Sequence, residues 1–195
     1  MLGAWEQKLH GHPKERTMSR LPLLLSLSIL LVGGSILPDM IQAAEATTTG
    51  TTLAKDDAEF ITSALQGGMA DIKTSEIALK RTVSAAEREF AQKMIDGHGK
   101  VIAELKTLAE AKGIAIPALL DEKSQKQVDE LGKQSDKVFA EVYLENQIDA
   151  HKKAVSAYKE ASKDAKDPEV KAFAAKNLPH LEEHLAQAKT LEKNH

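Results

Sequence analysis

A stretch of this chain occurs twice. Glu89-Phe90-Ala91-Gln92-Lys93 returns as Ala172-Phe173-Ala174-Ala175-Lys176, and at the same offset Ile102, Lys106, Thr107 and Leu108 answer to Leu185, Lys189, Thr190 and Leu191. A second echo pairs Asp57-x-x-Phe60 with Asp136-x-x-Phe139. Two helix-like segments thus each appear twice, in the order A, B, A′, B′. Such an order constrains the chain to two related helical hairpins packed on each other, an all-α four-helix bundle.

The 195 residues suffice for one domain plus a processing segment. There is no Cys, which excludes disulfides, thiolate metal sites, a Cys nucleophile and a lipidated Cys. Aromatics are 4% of the chain, so the core must be built from Ala, Leu, Ile, Val and Met. A net charge of −3 provides no basic field for nucleic acid. Arg16 and Arg20 precede an apolar run, Leu21 to Val32, and Ala44-Glu45-Ala46 offers a small-x-small cleavage site. Residues 1–46 therefore read as an N-terminal extension and signal peptide, with Met18 an alternative start. As a membrane anchor the run is too short, since a span takes roughly 20 apolar residues. The expectation is a bacterial protein exported to the periplasm without stable membrane insertion in its mature form; outer-membrane association and oligomeric state stay open. Residues 47–55 are a Thr-rich linker.

From residue 56 to 193 the apolar period is helical. Helix A is expected over about 56–81, with Phe60, Ala64, Ile72 and Ala78 inward. Gly67-Gly68 in its middle costs about 1 kcal/mol per Gly relative to Ala, a cost usually tied to close approach of another helix. Helix B spans about 84–112, opened by a capping box of Ser84 and Glu87 and closed by Gly113. A shorter helix falls within 119–132, and helix C runs from about 135 to 165. Asp167-Pro168 opens helix D, which reaches about 193 and should kink at Pro179. The expected fold is a ferritin-like up-down-up-down four-helix bundle with a short extra helix between B and C.

Seven His residues are present. His10 and His12 lie in the leader and His195 is terminal, which leaves His98, His151, His180 and His184. Turning each helix by about 100° per residue puts His98 roughly 20° from the centre of its apolar stripe and His184 roughly 40° from that of helix D. His151 falls at the margin, roughly 60° from a stripe of Phe139, Tyr143, Ala150, Ala154, Ala157 and Ala161. Asp71 lies near the inward face of helix A, and His180 lies farther out than His184. Asp71, His98, His151 and His184 all sit near mid-helix, so an antiparallel bundle brings them to one level. Three imidazoles and one carboxylate suit zinc, copper, nickel or iron rather than calcium or magnesium. Zinc is the favoured ion. The competing reading is a hydrogen-bonded core in which His and Asp pair with each other. Asp96 and Asp149, two residues before a His, turn to the solvent side, and Glu76 and Glu183 read as surface residues. Ile95 and Leu181 stand three residues before His98 and His184, so neither helix carries the Glu-x-x-His of di-iron oxidases.

Asp57-x-x-Phe60, Gly67-Gly68-Met69, Phe90-Ala91-x-x-Met94-Ile95, the Asp-x-His segments at 96–98 and 149–151, and Leu178-Pro179-x-Leu181-x-x-His184-Leu185 together resemble the domain-of-unknown-function 4142 family. Its members are exported bacterial proteins with a ferritin-like bundle, often labelled outer-membrane proteins. The resemblance implies a metal-binding interior and carries His98, His151 and His184 onto family positions, with Asp71 at an acidic one. The family's Asp directly before each of the first two His is replaced here by Gly97 and Ala150. The leading expectation is a non-enzymatic transition-metal binder in metal handling or envelope stress tolerance. A structural or interaction protein of the envelope is the alternative, and an iron-dependent oxidase is disfavoured.

Overall fold

The computed structural model describes residues 53–81 and 83–194. The expected signal peptide and most of the Thr-rich linker lie outside the described residues. Within them the chain is all-α, with five helices and no strand: α1 (Lys55–Leu79), α2 (Ala85–Ala111), α3 (Glu122–Gly132), α4 (Asp136–Asp164) and α5 (Pro168–Lys193). None of these helices is long and apolar enough to cross a membrane.

The helix ends follow from local chemistry. At α2 the Ser84 Oγ accepts from the Glu87 N–H at 3.2 Å, and the Ser84 N–H donates to Glu87 Oε2 at 2.6 Å. Gly113 closes the same helix at φ 69°, and the Ile114 N–H reaches back to the Ala109 carbonyl at 2.8 Å, a Schellman closure that only a residue tolerant of positive φ permits cheaply. Asp121 caps α3 through the Ser124 N–H. Asp167 caps α5 through the N–H groups of Glu169 and Val170, with Pro168 in the first turn where its missing N–H costs nothing. The helix continues past Pro179, whose ring supplies no N–H to the preceding turn.

The long helices pack in a ring: α1 on α2, α2 on α5, α5 on α4 and α4 on α1, with α3 laid mainly on α1. Their directions correct one expectation. Arg81, just past the end of α1, donates to Asp136 Oδ1 at the start of α4 (3.0 Å) and to the Gly132 carbonyl (3.0 Å). Asp57, at the start of α1, accepts from the backbone N–H groups of Lys166 (3.0 Å) and Asp167 (2.7 Å) in the α4–α5 turn. Lys112, past the end of α2, pairs with Asp167 (2.7 Å) and Glu169 at the start of α5. Helices α2 and α4 therefore run in the same direction, and the order is up-down-down-up instead of up-down-up-down. The cause is the connection between them. It leaves one end of the bundle, where Ile114 and Ile116 pack, and returns along α1 to the other, where Leu131 is buried.

Two apolar clusters fill the core. One gathers Ile61, Leu65, Leu105, Tyr158, Val170 and Phe173; the other gathers Ala78, Phe90, Met94, Phe139, Tyr143 and Leu144. Between them the buried side chains turn polar: Asp71, Thr74, Ser75, His98, Gln147 and His151.

A candidate metal centre of three histidines

Each functional side chain is placed by the buried face of its own helix. On α1 that face is Asp57, Ile61, Leu65, Gly68, Asp71, Thr74, Ser75 and Ala78. It is turned by about one position from the expected Phe60, Ala64 and Ile72, which are only half-buried. Asp71 consequently lies squarely inward, 8% exposed. On α2, His98 continues Phe90, Ala91 and Met94 into Ile102 and Leu105, as its rotation angle indicated. On α4, His151 is fully buried and not at the margin of the face. Ala150 and Ala154, which had set the expected stripe, are half-buried, and Ala157 is exposed. The true face runs through Tyr143, Leu144, Gln147, Ile148, His151 and Tyr158. His184 on α5 is half-buried and His180 is exposed. Asp96, Asp149 and Glu183 are exposed as expected.

The three histidines converge. Ring centroids are 5.3 Å apart for His98 and His151, 5.4 Å for His98 and His184, and 5.5 Å for His151 and His184, a near-equilateral triangle. One ring nitrogen of each lies within 4.8 Å of those of the other two. His98 Nε2 and His151 Nε2 stand 3.3 Å apart. Asp71 is brought to His98, with its Oδ2 3.5 Å from His98 Nε2, but it stands at the edge of the triangle rather than in it.

The supports around the triangle set the tautomers. His151 Nδ1 lies 2.9 Å from the Gln147 carbonyl. A carbonyl only accepts, so Nδ1 carries the proton and Nε2 presents a lone pair toward His98. Gln147 also sends its Nε2 to Thr74 Oγ1 (3.0 Å) and toward Asp71 Oδ1 (3.5 Å). The Thr74 hydroxyl is itself spent on the backbone carbonyls of Ala70 and Asp71. Gln147 and Thr74 were not singled out from the sequence, yet both follow helical spacing. Gln147 is one turn before His151 and Thr74 is three residues after Asp71, on the faces those residues define. One glycine admits a ring. A Cβ on Gly97 would lie 3.0 Å from His184 Cε1 and 3.3 Å from its Nε2, whereas a Cβ on Gly68 would meet His98 Nδ1 only at an ordinary contact distance of 3.7 Å.

Burial dominates the electrostatics. It lowers the pKa of His98 to about 3, with the charges His151 and His184 would carry adding to the effect. It lowers His184 to about 4, with further contributions from His151, His180 and Lys93. It raises Asp71 to about 6, against the opposing pull of His151 and the Gln147 amide. At neutral pH, His98 and His184 are thus uncharged rings, the form in which imidazole ligates metals. Two buried polar atoms in this region have no hydrogen-bond partner: Gln147 Oε1 and His184 Nδ1.

Fold and site together define an all-helical protein with three imidazoles gathered in its core. The profile of the domain of unknown function DUF4142 matches residues 42–191, and the chain belongs to that family. No curated protein matches the sequence significantly. Among solved structures, a DUF305 fragment from Deinococcus radiodurans superposes with a TM-score of 0.65 at 14% identity, covering 73% of this chain and 99% of that one. CopM in its Cu(I)-bound form superposes with a TM-score of 0.60 at 20% identity, covering 71% and 96%. CopM in its Cu(II)-bound form gives 0.60 at 19%, with the same coverage. At these identities the likeness shows a common fold.

Proposed function

We propose that this is an exported, ferritin-like bundle of the bacterial envelope that holds one transition-metal ion on His98, His151 and His184, in metal handling or envelope stress tolerance. Asp71 is the nearby carboxylate that balances its charge or completes its shell. The observation that carries the reading is the unpartnered Nδ1 of His184, buried beside two other imidazoles. A buried polar atom without a partner is costly, and an ion at the centre of the triangle would satisfy it. The spacing also fits. Two nitrogens each about 2.0–2.1 Å from one tetrahedral zinc stand roughly 3.3 Å apart, which is the separation of His98 Nε2 and His151 Nε2. That separation is long for an N–H···N hydrogen bond. A His151 locked by a carbonyl at Nδ1 is the usual arrangement of a metal-ligating imidazole.

Three nitrogen donors with a carboxylate close by favour zinc, and copper accepts the same set. The copper-bound forms of CopM, a neighbour in fold, support testing copper alongside zinc. The long crossover and the up-down-down-up order support the ferritin-like reading of the bundle. A donor set rich in imidazole and poor in carboxylate counts against an iron oxidase. One observation favours the purely structural alternative: the His98–His151 and His151–Gln147 contacts form a continuous network without an ion. Elemental analysis of protein purified without a His tag, with zinc and copper titrations of the wild type and of His98→Ala, separates the two. Metal near one equivalent retained through purification in the wild type, and at most weakly held in the variant, is expected. Equal uptake by both, or none by either, leaves the structural bundle.

A further inference from the structure

The buried triangle has one side nearer the solvent. His184 is the only half-buried member, and its Nε2 edge lies against α2 at Gly97. Any side chain at 97 would press on that ring, since even a Cβ would come within 3.0 Å. One turn before His184 on the same helix stands His180, which is exposed. The segment reads His180-Leu181-Glu182-Glu183-His184. Leu181 is buried, while Glu182 and Glu183 are exposed, so the helix is continuous and the two histidines lie on neighbouring turns of one face. Two histidines four apart on a helix can hold one metal ion between them. His184 is therefore shared between a surface pair and an interior triangle, with its Nδ1 buried and its Nε2 edge packed against α2 at Gly97.

We propose that His180 and His184 form an outer landing site for the metal ion, from which His184 passes it inward to His98 and His151. This rests on the triangle being a metal site. No bond other than coordination is made or broken. The ion exchanges ligands in steps, and because the two nitrogens of one imidazole point apart, the His184 ring turns as the ion moves inward.

The test is stopped-flow transfer of Zn(II) from a chromophoric chelator to the metal-free protein, in the wild type, His180→Ala, His98→Ala and the double variant. Because His180 is exposed, His180→Ala should keep the wild-type melting temperature and final occupancy of one ion. It should load, and release zinc to excess chelator, roughly tenfold or more slowly. His98→Ala should keep a weak site that disappears in the double variant. A wild type that fills while His180→Ala loads at the same rate overturns the landing site alone. The same holds if His180→Ala lowers final occupancy without changing the rate, for His180 would then be an ordinary ligand. Equal equilibrium uptake by the wild type and His98→Ala overturns the triangle itself, and it is read at equilibrium, apart from the rates.

Discussion

Asp71 shows how a single buried residue trades stability for a site. Its carboxyl titrates near 6 in the fold and at 3.8 in an unperturbed chain. As pH rises the unfolded chain ionises first, so the folded state bears a penalty that accrues between about pH 4 and 6 and is complete above that. His98 and His184 act in the opposite sense. They stay neutral in the fold down to about 3 and about 4, whereas a free imidazole takes a proton near 6.5. Acidification below 6.5 therefore favours the unfolded chain through these two residues. Two imidazoles outweigh one carboxyl, so the metal-free protein should lose stability between pH 6.5 and 4. Asp71→Asn removes the relief that Asp71 gains on protonation. It should be more stable than the wild type at pH 7, by about 1–3 kcal/mol, and should lose stability more steeply on acidification. Urea denaturation at pH 7 and pH 5 checks this; an Asn variant less stable at pH 7 contradicts it. Four side chains at one level were legible from spacing alone. The orphaned Nδ1 of His184 was not, because it depends on where the neighbouring helix backbone passes.

At the scale of the helix, the paired glycines of α1 separate two effects that sequence cannot. A Cβ at Gly67 would meet nothing within 4 Å, whereas one at Gly68 would lie 3.1 Å from Ile102 Cγ1 and 3.2 Å from its Cδ1. Gly67→Ala should thus gain helix propensity and stabilise the fold by about 0.5–1 kcal/mol. Gly68→Ala gains the same propensity and offsets it against crowding of Ile102 by about 1–3 kcal/mol. Thermal melts of the two variants should move in opposite directions; equal stabilisation would show that Ile102 gives way to the added Cβ without cost. The expected close approach of another helix is real, and it belongs to one glycine of the pair. The misplacement of His151 has a similarly physical origin. Alanine buries little area, so Ala150, Ala154 and Ala157 say little about which way α4 faces. Tyr143, Leu144, Ile148 and Tyr158 bury far more and decide it. Helix ends were legible because Ser84, Gly113 and Asp167 act locally on the backbone.

For the whole molecule, the echo that pairs Asp57 with Asp136 has a structural counterpart. Each stands at the start of the first helix of its hairpin, and each fastens the turn region of the other hairpin. The two fastenings differ in strength. Asp57 is 3% exposed and accepts from two backbone N–H groups, so Asp57→Ala leaves both without a partner and should cost about 2–3 kcal/mol. Asp136 meets Arg81 in a largely exposed pair, its side chain 61% exposed. Arg81 also keeps its place over the Phe139 ring, 5.0 Å from the centroid. Asp136→Ala should cost less than about 1 kcal/mol. Chemical denaturation of both variants should reproduce that inequality, and equal losses would contradict it. The periodicity that exposed the two hairpins gives helix faces and lengths but not directions. Whether α4 runs with or against α2 depends on how far the 112–135 connection travels, and that was settled by α3 lying along α1. An ion held by the three histidines is read most directly by X-ray absorption of the zinc-loaded protein. A shell of nitrogen at about 2.0–2.1 Å with the multiple scattering of three imidazoles is expected, altered in His98→Ala. A shell with one imidazole or none, or a spectrum unchanged by His98→Ala, would contradict it.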